Sequence, residues 1–411
     1  MKNLRSKIKS VRNFKEQGKV VLVRADYNVE FIDGKIVDDT RIISTLPTLQ
    51  HLTDLKSKLV LISHFGRPKG KFDPKLSLSG VASYLADALG RKFVSCDDFT
   101  FPEYPSPHII FCKGDVRKLE RAHLDKLNPG DILFLENIRF YPEEESLDEN
   151  FAKHLASLVD VYVNEAFSVN HHGSVSISLI PKFVQSFAGL RLVQEMEVLD
   201  HVSLNANNPF VILAGGAKIT EKAAMFNELL PRADYVLVGG AMANLFLKAQ
   251  GFEIGDSKME AEGVSVVNEL WRNFREKIVL PRDVVVAFKN GSSGEVKPIN
   301  GVRPGERILD IGPQTILEFA GILKTANTII WNGPMGVFEQ KPFSHGTLAL
   351  ARLVGTRGKG RAYVLVGGGE TLQALNISGV KEYVDFVSTG GGAMLSYLGG
   401  EKLPGIEALV E

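Results

Sequence analysis

Short apolar, β-branched runs alternate along this chain with longer segments whose apolar positions recur at helical spacing. The runs predict strands and the segments between them predict helices, the pattern of parallel sheets with crossover connections. Two sets occur. The first comprises "VVLVRADYN", "KLVLISHFG", "HIIFCKG", "DILFLENIRF" and "VDVYVNEAF"; the second comprises "FVILAGG", "DYVLVGG", "VVVAF", "RILDIGP", "TIIWNGP", "YVLVGGG" and "DFVSTGGG". Between them "GLRLVQEMEVLDHVSLNANNPF" predicts a helix from about Leu190 to Val202, closed by a loop of Asn and Pro, and the domain boundary is placed there. "KNGSSGEVKPINGVRPGE" reads as one polar surface excursion.

Ligands of open α/β sheets collect beyond the carboxyl ends of strands, so the residues there carry the chemical information. In the first set these ends hold Arg24, Asp26, Asn28, His64, Arg67, Arg139, Asn164 and Glu165. In the second they hold glycine: Gly215 and Gly216, Gly239 and Gly240, Gly333 and Gly336, Gly367 to Gly369, and Gly390 to Gly392. Ten of the 39 glycines fall in residues 1–205 and 29 in residues 206–411, so the asymmetry extends across whole halves. Glycine joints let backbone N–H groups approach a phosphate at a helix start, although tight helix-on-strand packing also calls for glycine. Guanidinium groups beside Asp, Asn and His suit a small hydroxylated anion, because Arg forks bind phosphate and carboxylate through paired hydrogen bonds.

Charge composition narrows the ligand further. Lys plus Arg and Asp plus Glu both number 48, which leaves no global field for nucleic acid or an anionic membrane and requires local clusters for any anion. Cys96 and Cys112 form neither a C-x-x-C pair nor a zinc spacing, and so few thiols fit a reducing cytoplasm. The basic N-terminus lacks the apolar core of a signal peptide, and the apolar run Tyr235 to Leu247 is shorter than the roughly 20 residues of a membrane span. A soluble cytoplasmic protein is expected.

"ILAGGAKITEKAAMFNELL" holds the sharpest local conflict. Lys218 and Lys222, four apart, are predicted to share one face in the opening turns of a helix. Like-charge repulsion and the helix dipole each disfavour that arrangement by roughly 0.2 to 1 kcal/mol. Glu221 can relieve Lys218, or a polyphosphate between the two ammonium groups removes the conflict. The segment is not a Walker A loop, and no G-x-G-x-x-G follows the first strand.

The chain resembles phosphoglycerate kinases along nearly its whole length, through "VRADYNV", "DDTRI", "SHFGRPKG", "LENIRFYPEEE", "GGAKITEK", "WNGPMGVFE", "GGGET" and "STGGGA". The resemblance implies an α/β fold of two Rossmann-like three-layer lobes with parallel sheets. These would comprise residues 1–188, which bind 3-phosphoglycerate, a hinge helix at 189–203, a nucleotide-binding domain at 204–393, and a tail at 394–411 packing on the first domain. It implies transfer of a phosphoryl group between 1,3-bisphosphoglycerate and ADP, with Mg2+, by a monomer that engages neither nucleic acid nor membrane. By position, Asp26, Tyr27, Asn28, Arg41, His64, Phe65, Gly66, Arg67, Arg139 and His172 would bind the phosphoglycerate. Lys222, Asn332, Glu339, Gly368, Gly369, Glu370 and Thr371 would bind ATP or ADP, with Glu370 on the metal. Arg41, Lys218 and the Gly391 backbone would attend the phosphoryl group in transit. Two positions depart from the family pattern: His172 stands where an arginine is usual, and Glu370 where an aspartate is usual. Those departures leave room for a second reading, a non-catalytic or weakened homologue that binds phosphoglycerate and nucleotide. A nicotinamide-dependent dehydrogenase of two α/β lobes is a further alternative, disfavoured by the missing fingerprint.

Overall fold

All five residues of Val20–Arg24 are buried, as a β-branched strand covered on both faces requires. The strand lies inside a seven-stranded parallel sheet ordered Lys92–Cys96, His108–Cys112, Ile132–Leu135, Lys58–Ile62, Val20–Arg24, Val161–Asn164 and Ser186–Ala188. From Val20–Arg24 the chain proceeds to Lys58–Ile62 on one side and later returns as Val161–Asn164 on the other. That reversal makes a switch point, where loops leaving adjacent strands part and open a crevice. Val21, Val23, Leu59, Leu61 and Phe134 form a core with Leu49 and Leu52 of helix Leu46–Asp54 and Val81 and Leu85 of helix Ser79–Ala88.

The computed structural model describes residues 7–32, 34–101, 107–288 and 293–410. The described chain forms two units: one ends at Glu197 and takes up the chain again from Lys402, and the other is Val198–Glu401. Helix Leu190–Asn205 is divided between them and runs three residues beyond the predicted Val202. Within the first unit the tail is tied back by a bridge between Ile8 and Val410 and by the Gly405 N–H donating to the Asn170 carbonyl at 3.1 Å.

The second unit holds a six-stranded parallel sheet ordered Ile278–Val279, Tyr235–Val238, Phe210–Ala214, Thr328–Asn332, Tyr363–Gly367 and Phe386–Ser388. In chain order this is 3-2-1-4-5-6, the doubly wound arrangement, with its switch point between Phe210–Ala214 and Thr328–Asn332. Two predicted parallel strands lie elsewhere. Asp283–Phe288 and Glu306–Ile311 pair antiparallel in a separate three-stranded sheet, with Glu295–Pro298 as its third strand. The predicted polar excursion therefore contains an edge strand, of which only Lys297 is buried; its residues 289–292 lie outside those described. Among the described residues no helix is long and apolar enough to cross a membrane.

Candidate active site

Four strands of the first sheet deliver their carboxyl-end loops to one rim: Ala25–Asn28, Ser63–Arg67, Glu136–Arg139 and Glu165–His172. Asp26 organises the rim. It is buried, and its Oδ2 accepts hydrogen bonds from Arg41 and the Ser168 hydroxyl, while its Oδ1 accepts the Asn28 N–H at 3.0 Å. Burial alone would raise its pKa, yet Arg41, His64 and these donors hold the carboxyl well below the ordinary carboxylate range. Arg41, on the short helix Thr40–Ile43, is thereby aimed along the rim while remaining about one-third exposed.

His64 illustrates the field these residues create. Its Nδ1 lies 3.3 Å from Nη2 of Arg24, and because a guanidinium only donates, Nδ1 is the acceptor and the ring proton sits on Nε2. Burial, opposed by Asp26 and reinforced by Arg24, Arg139 and Arg41, takes its pKa down to about 3. The ring is neutral near pH 7, so its 3.6 Å approach to Asp26 is not a charge pair. Arg139 feels the same crowding: burial, then Arg24, lowers its pKa. Depressed cations gathered on one rim mark a positive potential that an anion would relieve.

The loop between His64 and Arg67 is fixed by backbone contacts. Gly66 has φ +60°, and a Cβ there would come within 2.7 Å of Leu76 Cδ2, so both conformation and space demand glycine. Its N–H donates to Asn28 Oδ1 and its carbonyl accepts from Arg139 Nη1, both at 2.9 Å. Asn137, fully buried, holds Phe65 from both sides: Oδ1 accepts the Phe65 N–H at 3.2 Å and Nδ2 donates to the Phe65 carbonyl at 2.7 Å. Phe65 also packs edge-on against Phe31, and Arg67 is exposed. Tyr27 turns the other way. Its side chain is fully buried, with its hydroxyl 2.7 Å from Thr45 Oγ1, so this predicted ligand supports the loop from the core.

His172 is exposed and stacks on His171 with ring centroids 3.8 Å apart. Partial burial, then Arg139 and Arg67, lowers its pKa, so the imidazole stays neutral to lower pH than an ordinary histidine. A phosphate dianion reverses the sign of that field. With His172 on the substrate phosphate, affinity for 3-phosphoglycerate is expected to rise as pH falls through the titration of this imidazole, by up to roughly tenfold. His172→Arg should bind more tightly and flatten this dependence. Titration calorimetry across pH 5 to 8 checks it; identical profiles for both proteins would remove His172 from the phosphate.

The glycine rim of the second unit is built on two different principles. Gly215, Gly240 and Gly333 interlock: an added Cβ would lie 2.0 Å from the Pro334 carbonyl, 2.8 Å from Gly216 N and 2.4 Å from the Gly215 carbonyl, respectively. Packing explains these three. Gly369 and Gly391 have nothing within 4 Å of such a Cβ. Gly391 has φ +51°, which favours glycine by conformation, whereas no positive φ applies at Gly369. At Gly369, therefore, neither neighbouring atoms nor backbone conformation requires the side chain to be absent, and the joint has room for close approach to its backbone.

The lysine pair differs from the predicted helical face. Lys218 lies before the 3-10 turn Thr220–Lys222, and the α-helix begins only at Ala223. Its side chain is 64% exposed and pairs with Glu221 at 2.5 Å. Lys222 is 6% exposed, with its Nζ against the Gly216 joint, and forms no ion pair with a described residue. Burial lowers its pKa against the opposing fields of Glu221, Glu370 and Glu260. Glu260 clamps the loop from a distant segment, accepting the Ile219 N–H at 2.6 Å and the Thr220 hydroxyl at 2.5 Å.

Beside Lys222 opens a cleft of about 410 Å³, lined among others by Gly216, Gly240, Met335, Glu339 and Glu370. Glu370 is exposed in the first turn of helix Gly369–Ile377. Asn332 and Thr371, predicted on the nucleotide, are turned inward. Asn332 Nδ2 donates to the Gly367 carbonyl at 3.0 Å, and Thr371 Oγ1 accepts the Gly333 N–H at 2.7 Å. Both therefore secure the joints around Gly368, which has φ +95°.

The sequence profile of the phosphoglycerate kinase family matches residues 11–401. The chain belongs to that family. It is 41% identical over 407 residues to the phosphoglycerate kinase of Moorella thermoacetica, covering 98% of this chain and 99% of the relative. The fold is similar to that of the Coxiella burnetii phosphoglycerate kinase, with a TM-score of 0.81, 36% identity and 98% of each chain covered. The Pyrococcus horikoshii phosphoglycerate kinase structure gives a TM-score of 0.80 at 28% identity, again over 98% of each chain. Residue type at strand ends did not single out Ser168, Asn137 or Glu260, each of which fixes a rim residue across a long sequence separation.

Proposed function

We propose that this chain catalyses reversible phosphoryl transfer between 1,3-bisphosphoglycerate and ADP, giving 3-phosphoglycerate and ATP, as a cytoplasmic monomer. The observation that carries the reading is Lys222, a buried ammonium at a glycine joint without an ion-pair partner among the described residues. Such a charge is costly unless an anion meets it, and the cleft beside it has the dimensions of a small-ligand site. Full-length family membership and the cationic rim of the first unit supply the acceptor. The missing dinucleotide fingerprint leaves nothing in favour of a dehydrogenase.

In the forward direction an ionised β-phosphate oxygen of ADP attacks the acyl phosphorus while the P–O bond to the carboxylate breaks. Nucleophile and leaving group are both anions, so no general base is needed. Placement and positive charge are needed instead. On this reading Asp26, Asn28, His64, Arg67, Arg139 and His172 seat the phosphoglycerate, with the backbone of Phe65 and Gly66, while Tyr27 supports them. Lys222, Glu339 and the Gly368–Gly369 joint seat the nucleotide, backed by Asn332 and Thr371. Arg41, Lys218 and the Gly391 backbone meet the charge in transit. Helix Leu190–Asn205 is the proposed hinge, because in-line transfer requires that donor and acceptor meet without water.

Glu370 fits magnesium: an exposed oxygen ligand on the cleft, near enough to Lys222 to influence its proton. Among the described residues no three ligating side chains cluster, and magnesium ordinarily takes one or two carboxylates with waters and substrate phosphates. The ion would neutralise phosphate charge. Glu370→Ala is expected to raise the magnesium concentration for half-maximal activity by about tenfold, whereas Glu370→Asp stays active. An alanine variant with unchanged magnesium dependence places the ion elsewhere. The overall reading is tested by supplying ATP, 3-phosphoglycerate and magnesium and coupling product to an NADH-consuming reductase. Signal that needs all three supports it; signal indifferent to 3-phosphoglycerate refutes it.

A further inference from the structure

The loop that carries Lys218 is not α-helical: Thr220–Lys222 forms a 3-10 turn, and the α-helix begins only at Ala223. The opening N–H groups of such a turn have no partner within it. Here they are taken by Glu260, whose Oε2 accepts the Ile219 N–H at 2.6 Å and the Thr220 N–H at 3.1 Å, while Oε1 accepts the Thr220 hydroxyl at 2.5 Å. Ile219 is fully buried, and Gly263 packs on it so closely that an added Cβ would lie 2.4 Å from Ile219 Cγ2. Partial burial would raise the Glu260 pKa, yet these donors and then the Lys218 ammonium hold it below the ordinary value. The carboxylate is therefore ionised near neutral pH, and its hydrogen bonds are charge-assisted.

Glu260 ends a strap, residues 255–260, whose earlier positions are tied to the wall of the cleft beside Lys222. Gly255 bridges Arg307, the Asp256 N–H donates to the Glu306 carbonyl at 2.7 Å, and Ser257 Oγ accepts the Ile308 N–H at 2.8 Å. The Lys258 carbonyl accepts from Asn244 Nδ2 at 3.0 Å. Arg307, Ile308, Asn244, Asp256 and Lys258 all line that cleft. One strap thus runs from the cleft wall to the backbone that carries Lys218. We propose that Glu260 is a positioning residue for phosphoryl transfer: through Ile219 and Thr220 it fixes the Lys218 loop relative to the cleft, so that an exposed, flexible ammonium is delivered to the group in transit. Glu260 acts without touching either substrate. Lys222 is seated by its own burial, so nucleotide binding depends little on this clamp. The inference rests on the role given to Lys218 above and adds what aims it.

Steady-state kinetics and ADP calorimetry on the full chain, in wild type and in Lys218→Ala, test it. Glu260→Ala should lower kcat by roughly 10- to 100-fold while the Kd for ADP changes only a few-fold. In the Lys218→Ala background the same substitution should change kcat by less than about twofold, because a residue that acts through another adds nothing once that one is gone. Glu260→Gln keeps an acceptor for both N–H groups and should retain most of the turnover. If Glu260→Ala fails to fold, Thr220→Val takes its place: it removes only the hydroxyl bond, and its smaller loss of kcat should likewise vanish in Lys218→Ala. An equal loss in both backgrounds overturns the proposal, as does wild-type turnover in Glu260→Ala, an equal loss of ADP binding, or a Glu260→Gln protein as impaired as Glu260→Ala. Wild-type turnover in Lys218→Ala overturns the Lys218 reading and the positioning role with it. A loss in Lys218→Ala but none in Glu260→Ala keeps that reading and removes only Glu260.

Discussion

Lys218→Ala is expected to lower kcat by about 100-fold or more while changing the Kd for ADP only a few-fold. At rest the Lys218 ammonium is largely exposed and held by Glu221, so it does little for the fold; exposed pairs contribute at most about 1 kcal/mol. A charge that engages only the phosphoryl group in transit lowers the barrier without strengthening ground-state binding. Steady-state kinetics, calorimetry and a thermal melt separate these effects. Turnover within a few-fold of wild type would take Lys218 out of the reacting centre, and an equal loss in binding would make it a ground-state ligand.

The largest stability effect is expected at Arg24. Its guanidinium is 2% exposed and donates through Nε to Ser176 Oγ at 2.8 Å, while Ser176 Oγ donates to Glu144 at 2.5 Å. Glu144 is 1% exposed; burial raises its pKa, and Arg24 is the leading influence opposing that rise. Arg24→Ala strands a buried carboxylate and should cost about 3 to 5 kcal/mol. The sign with pH is definite. Without Arg24 the folded pKa of Glu144 lies further above its unfolded value, so the variant is closest to wild type in acid and loses stability as pH rises. Urea unfolding at pH 5 and pH 8 measures the difference, and adding Glu144→Gln should recover much of the loss at pH 8. A uniform loss at both pH values, unrelieved by Glu144→Gln, would mean that packing alone is responsible.

The buried β-branched runs made most of both parallel sheets readable, because a strand covered on two faces cannot hide its composition. Lys92–Cys96 escaped that reading: its burial falls mainly on Cys96, as expected for an edge strand. Ser186–Ala188 and Ile278–Val279 are too short to show a period. The antiparallel sheet was misread from composition. Asp283–Phe288 and Glu295–Pro298 are joined by a span too short for a crossover helix, and such spacing belongs to antiparallel neighbours.

At the site, residue types showed which rim is cationic and which is glycine, but not where side chains point. Tyr27, Asn332 and Thr371 occupy strand-end positions like those of Asn28 and Glu370, yet each is drawn inward by a partner distant in sequence. The lysine spacing misled for a related reason. A four-residue interval implies one face only inside a helix, and here the helix starts after both lysines.

The central claim is that the acceptor is a carboxylate, and it is tested most directly with ATP labelled in its γ-phosphate. Mixed with magnesium, 3-phosphoglycerate and this protein, the label should move to an acyl phosphate that hydroxylamine cleaves, and it should not move when 3-phosphoglycerate is omitted. Label found only in inorganic phosphate, or in a product stable to hydroxylamine, would contradict the account.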